Sequence, residues 1–138
     1  MSFAALRQTI ETRLSQQWVT GSPSTPRTPI GFDGQAFEPV KNSIRLTILD
    51  GEGRNASIGA PGSNLVRHAG VIAIQVFTEG GKGTAASRTY EDLIATIFRN
   101  WTSGGLRCGV PYVSGSVEEP PFLTRTVMIP FTADNFNG

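Results

Sequence analysis

The spacing of apolar residues switches from three or four apart to two apart twice along this chain. Phe3, Leu6, Ile10, Leu14 and Trp18 recur at helical spacing, so residues 2–18 predict an amphipathic helix with Ser2 as its N-cap. Each side chain of that stripe is worth about 1.5–3 kcal/mol when buried, before conformational entropy is set against it. Gly21 and Pro23 end the helix, and residues 21–27 read as a Ser/Thr/Pro loop. Residues 29–32 predict a short strand, placed at an edge because Pro29 has no amide to donate. Asp33-Gly34 predicts a turn, with irregular chain around Phe37 and Pro39 after it.

The middle of the chain is extended. Over residues 42–49, Ile44, Leu46 and Ile48 alternate with Ser43, Arg45 and Thr47, the pattern of a strand with one dry face. Residues 64–78 form the longest extended stretch. In its second half, Ile72, Ile74 and Val76 point one way and Val71, Ala73 and Phe77 the other, which predicts a central strand covered on both faces. Its first half carries Arg67 and His68 and is expected to be less buried. The two strands, with Gly51, Gly53, Gly59 and Gly62 between them, predict a long antiparallel hairpin whose tip projects past the core, with a short strand at residues 56–58.

Residues 80–84 (Gly80, Gly81, Lys82, Gly83, Thr84) turn the chain into a second helix, about residues 85–101, with Thr84 as N-cap. Its stripe is Tyr90, Leu93, Ile94, Ile97, Phe98 and Trp101. Glu91 and Asp92 in its first half and Arg99 near its end suit the helix dipole, and Ser103-Gly104-Gly105 stops it. Residues 110–117 predict a weakly patterned strand. Residues 122–132 predict a better one, with Leu123, Val127, Ile129 and Phe131 on one face and Pro130 marking an edge or a bulge. No repeat and no second-domain boundary interrupts this order. It predicts a single-domain α+β fold over residues 1–138: a mixed, mostly antiparallel sheet with a long β-hairpin packed against two helices.

Composition narrows the function. The 138 residues suffice for one domain with a hydrophobic core, and 16 Gly with 9 Pro favour strands joined by turns over a helical bundle. Twelve Lys and Arg against eleven Asp and Glu give a net charge of +1, with no dense basic run for tight nucleic-acid binding. Arg and Glu interrupt the apolar residues of 1–17, so no secretory signal is expected there, and the protein is expected to be made and folded in the cytoplasm. No segment is long and apolar enough to predict a membrane helix.

The candidate chemistry is sparse. Cys108, the single cysteine, lies in a turn-like Gly-Gly-Leu-Arg-Cys-Gly stretch and reads as a small buried residue; a nucleophile needs a partner, and His68 is the single histidine. One histidine and no Cys-x-x-Cys give no zinc pattern. Glu118-Glu119 and the Asp50/Glu52 pair read as solvated turn charges. The 80–84 turn resembles a phosphate loop, but Gly83 separates Lys82 from Thr84 and the leading Gly is absent. It reads first as a glycine-rich connection, with an anion- or nucleotide-binding module using that loop as the alternative. Nothing here predicts an enzyme, a metal or a cofactor. Arg45, Arg54 and Arg67 fall along the outward face and tip of the predicted hairpin. With Lys82 they are the candidate contacts to a neighbouring subunit or tube.

Several stretches together resemble a known family. They are Thr-Pro-Ile-Gly-Phe-Asp at 28–33, Phe37-Glu38-Pro39, Ser57-Ile58-Gly59, Arg67, Gly70, the run VIAIQVFTEGGKG at 71–83, and Val127-Met128-Ile129-Pro130-Phe131, behind an opening helix that ends in Trp18. In this order and spacing they resemble the tail terminator-like proteins of long-tailed bacteriophages and phage-like gene transfer agents. The front loop departs from the pattern in carrying Asp33-Gly34 where a more asparagine-like turn is expected. The resemblance implies an α+β structural virion protein at the head-proximal end of the tail, assembled in the host cytoplasm. It implies a homo-oligomeric ring, usually a hexamer, that caps the tail tube protein, ends tube polymerisation and presents a head-docking surface to the connector. DNA would pass through the ring without specific binding. Another head–tail joining protein, of the neck or connector, is the alternative within that class.

Overall fold

The computed structural model describes residues 2–55 and 65–136. The predicted strand at 56–58 and the tip of the hairpin lie outside the described residues. Helix α1 (Phe3–Gln17) begins where the Ser2 hydroxyl accepts a hydrogen bond from the Ala5 amide, 3.1 Å. Strands β1 (Val19–Thr20) and β2 (Thr25–Pro26) then make a small separate hairpin where a loop was expected. After β3 (Ile30–Gly31) come the long strands β4 (Ser43–Asn55) and β5 (Leu65–Glu79), and helix α2 (Ala85–Phe98). Short strands β6 (Thr102–Ser103) and β7 (Leu106–Cys108) precede β8 (Tyr112–Glu119) and β9 (Phe122–Phe136).

The main sheet runs β3-β4-β5-β9-β7-β6, with β8 also pairing β9. β3 is parallel to β4 and the other neighbours are antiparallel. The fold is therefore α+β with a mixed, mostly antiparallel sheet, and β4 with β5 is the expected long hairpin. Their register places Ile44 opposite Val76, Leu46 opposite Ile74 and Ile48 opposite Ile72. β9 continues the rows, Val127 opposite Ile74 and Ile129 opposite Ile72. Against this one face pack Leu6, Ile10, Leu14 and Trp18 of α1 and its cap, and Ile94, Ile97 and Phe98 of α2, in a single cluster.

Both helices sit on that face, which corrects the expectation of cover on both sides of residues 71–77. On the other face Ala73 is buried, Thr47, Val71, Gln75, Thr126 and Met128 are half-exposed and Leu49 is exposed, so the second face is covered only in part and by no helix. Phe77 is buried there by Phe37 and Phe122, whose ring centroids lie 6.4 and 6.0 Å away. An apolar, β-branched run is satisfied by dense same-face neighbours as well as by a second layer, so its pattern alone does not distinguish the two.

Four further details differ from the sequence reading. Phe3 is 63% exposed and stands edge-on to His68, 5.1 Å between centroids, so the buried stripe starts at Leu6. α2 stops at Phe98 because Arg99 turns extended and Asn100 adopts φ 53°; Trp101 folds back onto Phe98 from outside the helix. Ser103, Gly104 and Gly105 turn the β6–β7 hairpin instead. Thr84 does occupy the N-cap position, but its hydroxyl makes no cap bond and accepts from Arg88 Nε, 3.0 Å.

Pro130 is not at an edge. β9 lies between β5 on one side and β8 and β7 on the other. Pro130 falls in the gap where the second partner changes, after the Tyr112–Met128 pair and before the Cys108–Phe131 pair. Its carbonyl accepts from the Gly109 amide, 2.8 Å, so its missing donor faces the gap and leaves no ladder bond unmade.

Candidate assembly surfaces

The fold places two of the four candidate basic residues, Arg45 and Arg67, on the sheet face away from the helices. Arg45 is half-buried there, its guanidinium 5.5 Å from the centre of the Phe37 ring and 5.7 Å from that of Phe77. It also donates to the Phe37 carbonyl, 3.2 Å. The stacked cation holds the 32–42 segment down on the sheet. Arg54 stands opposite Arg67 in the β4–β5 register, beyond a bulge between Asp50 and Gly53. Lys82 is at the other end of the sheet, exposed in the turn before α2.

Arg67 forks onto Asp134 of β9, 2.7 and 3.1 Å, and Arg107 of β7 adds a bond to the same carboxylate, 3.0 Å. These bonds tie three strands together on the open face. The hydrogen bond from Arg67 holds the Asp134 carboxyl below its usual range against the opposing pull of burial, with the charges of Arg67 and Arg107 adding to it.

The Gly-rich turn is already engaged within the chain. The Gly80 amide donates to the Pro121 carbonyl, 3.0 Å, and the Gly81 amide to a Glu118 carboxylate oxygen, 2.7 Å. A carboxylate near the end of β8 thus occupies one amide that a phosphate would need, so Glu118 is more than a solvated charge.

Cys108 is buried in β7, not in a turn, and burial pushes its thiol up to about 11 against the counteracting charge of Arg13. Arg13 itself donates twice to the Ile97 carbonyl, 3.2 and 3.0 Å, near the end of α2.

Two features escaped the sequence reading. Glu91, expected only to suit the helix dipole, is buried and takes two hydrogen bonds from Arg125 and one from Ser87, 2.6 Å. The signal was there: each is a charged residue at an inward position, Glu91 on the α2 stripe and Arg125 between Leu123 and Val127. The second is β8, every residue of which is exposed, with Tyr112 at 53% and Val117 at 59%. It pairs β9 along one edge and leaves the other edge open. Such an edge offers unpaired backbone groups as well as apolar side chains.

Among the described residues no group of three or more His, Cys, Asp or Glu is placed to hold a metal ion, and no helix is long and apolar enough to cross a membrane. The described residues present a sheet face only partly covered by the 32–42 segment, the open edge of β8, and exposed apolar side chains such as Tyr112 and Val117. The model of the phage tail terminator protein family matches residues 5–132, and the chain belongs to that family. It is a structural component of a phage tail. A solved structure shares the fold over 100% of this chain and 99% of its own, with a TM-score of 0.71 and 18% identity. No curated protein matches.

Proposed function

We propose that this protein forms a closed ring, six copies in the simplest case, that seats on the finished end of the tail tube. The ring stops further tube subunits from adding and offers its far side to the connector below the head. The observation that carries this is the family match over residues 5–132. The fold supports it: the sheet has two different edges, and rings are built from heterologous contacts in which one patch meets a different patch on the next copy. The chain would act as a single unit over residues 1–138. A net charge of +1 suits a bore through which DNA slides without being held. Lys82, exposed in its turn, would contribute to the tube contact. Arg45 and Arg67 would shape that face by fixing Phe37 and Asp134, and Arg54 stands beside Arg67 in the register. Assembly would take place in the host cytoplasm and leave the ring at the head-proximal end of the tail.

Deleting the gene tests this directly. Particles made without the protein should carry tubes of uncontrolled length and lack heads at their ends, and purified protein added back should bind tube ends as rings in negative stain. Tubes of normal length joined to heads in its absence would overturn the reading.

A further inference from the structure

The two edges of the main sheet match each other. On the β8 side, Arg99 borders the groove beside Tyr112 and Val113 at one end, Val117 follows, and Glu119 ends the strand. All of these are exposed. On the β4 side, exposed Asp50 and Glu52 lie at the corresponding end, Leu49 precedes them, and exposed Val40 and Lys41 stand at the other end. The register fixes the levels. Tyr112 is level with Thr47 through Met128 and Ala73, one pleat from Leu49. Val117 is level with Ser43 through Thr124 and Phe77, and the Ser43 hydroxyl bonds the Val40 carbonyl, 2.6 Å. Glu119 is level with Glu79 through Phe122, and Glu79 is paired with Lys41, 3.2 Å.

Read along the sheet, one edge therefore runs from a groove that is cationic on balance, exposed Arg88 and Arg99 against Asp92, through two apolar levels to an anion, and the other runs anion, apolar, apolar, cation. Among the described residues β8 pairs only β9, so its outer edge is open, whereas the β4 side is bordered by β3 at Ile44 and Arg45 and by Asp33, whose side chain accepts from the Ile48 amide, 3.2 Å. The open strand edge on that side is β3, flanked by the exposed Leu49, Asp50 and Glu52 at one end and Val40 and Lys41 at the other. Neither edge can meet a copy of itself with like facing unlike at every level unless one copy is turned over. Meeting the opposite edge needs no such turn, which is the geometry of rotation about a ring axis.

We propose that the β8 edge of one copy docks on the β3–β4 edge of a second copy, head to tail. Tyr112 then packs near Leu49, Val117 against Val40, Arg99 faces Asp50 and Glu52, and Glu119 faces Lys41. β8 runs antiparallel to both β4 and β3, so its open edge would lie along β3 while its side chains reach the exposed β4 residues beyond the two ends of β3. This surface assignment rests on the ring reading above.

The test uses two sets of variants on the whole chain, alone and on purified tail tubes. Val40→Cys with Val117→Cys, in a Cys108→Ser background, is treated with a short bis-maleimide. A ladder of covalent oligomers is expected, ending at the ring, and each single-cysteine variant should give no more than dimers. Glu119→Lys and Lys41→Glu should each weaken assembly up to about fivefold per contact, as loss of an exposed ion pair does, and the double reversal should restore it. Unchanged melting temperatures for the single variants separate assembly from folding. Rings seen by native mass or on tube ends, with no ladder and no response to charge reversal, would overturn this surface and leave the ring standing. A protein that stays monomeric in solution and never decorates tubes would remove both.

Discussion

Arg125 reaches across from β9 to fork onto Glu91 of α2, with bonds of 2.7 and 3.0 Å, inside the helix–sheet interface. Their side chains are 10% and 7% exposed. The pair fixes how α2 sits on the sheet, and each partner makes the other tolerable in a dry layer. Glu91→Ala leaves the Arg125 charge buried without its acceptor and should cost about 3 kcal/mol in urea unfolding. The double variant Glu91→Leu/Arg125→Met should recover most of that loss. Equal losses in the single and double variants would show that the pair is not the source.

The same pair gives the acid side of the stability profile its shape. Burial pulls the Glu91 carboxyl upward, but hydrogen bonds from Arg125 and Ser87 and the charges of Arg125 and Arg88 outweigh it and hold the group below its usual range. A depressed folded value means the unfolded chain binds the proton more readily. The stabilisation is then complete above the ordinary glutamate range and is lost as pH falls through the folded value. Asp134, held low by Arg67, acts in the same direction. Melting curves from neutral to acid pH should fall less steeply for Glu91→Leu/Arg125→Met than for the natural protein.

Gly70 has no room for a side chain. A Cβ there would lie 2.6 Å from the Leu49 carbonyl oxygen and 2.6 Å from Cζ of Phe131. The first neighbour is backbone and cannot move aside, so Gly70→Ala should cost about 1–3 kcal/mol. Gly115→Ala, where nothing lies within 4 Å of the added atom, should stay within about 0.5 kcal/mol of the natural protein. Denaturant midpoints for the two variants measure the contrast.

Cys108 should be nearly inert in the native protein. Its thiol is raised from 9.0 to about 11 by burial, so its thiolate fraction at pH 8 is about a hundredfold below that of a free thiol. Reaction with a chromogenic disulfide reagent should be slow when folded and fast in denaturant. Rapid labelling of the folded chain would mean that β7 opens readily.

How much of this was legible depended on how local each signal is. The α1 stripe from Leu6 to Trp18 and the Ile44-Leu46-Ile48 alternation each record one element against one dry face, and both could be read directly. Phe3 continues the α1 spacing but is exposed beside His68, because spacing cannot say how far the sheet reaches under the first turn. The β6–β7 hairpin was hidden because Gly104-Gly105 reads equally well as a helix stop. β8 gave a weak pattern for a physical reason: both its faces are exposed, so no alternation is enforced. Glu91 and Arg125 could each be seen as misplaced charges, but 34 residues separate them and only the tertiary structure pairs them. The family resemblance supplied what no local pattern contains, since assembly leaves little mark on a single element. The docking edges proposed above were the least visible, because the chain order places them far apart.

Pro130 sits in the slot where β9 passes from one outer partner to the next. A two-residue slide of β9 would keep its apolar face inward, so burial by itself does not forbid it. It would, however, carry the imide into the positions now held by Met128 or Thr132, each opposite a strand residue of β8 or β7. The ring of one proline thus works as a pawl, making a nearly neutral slip costly in both directions.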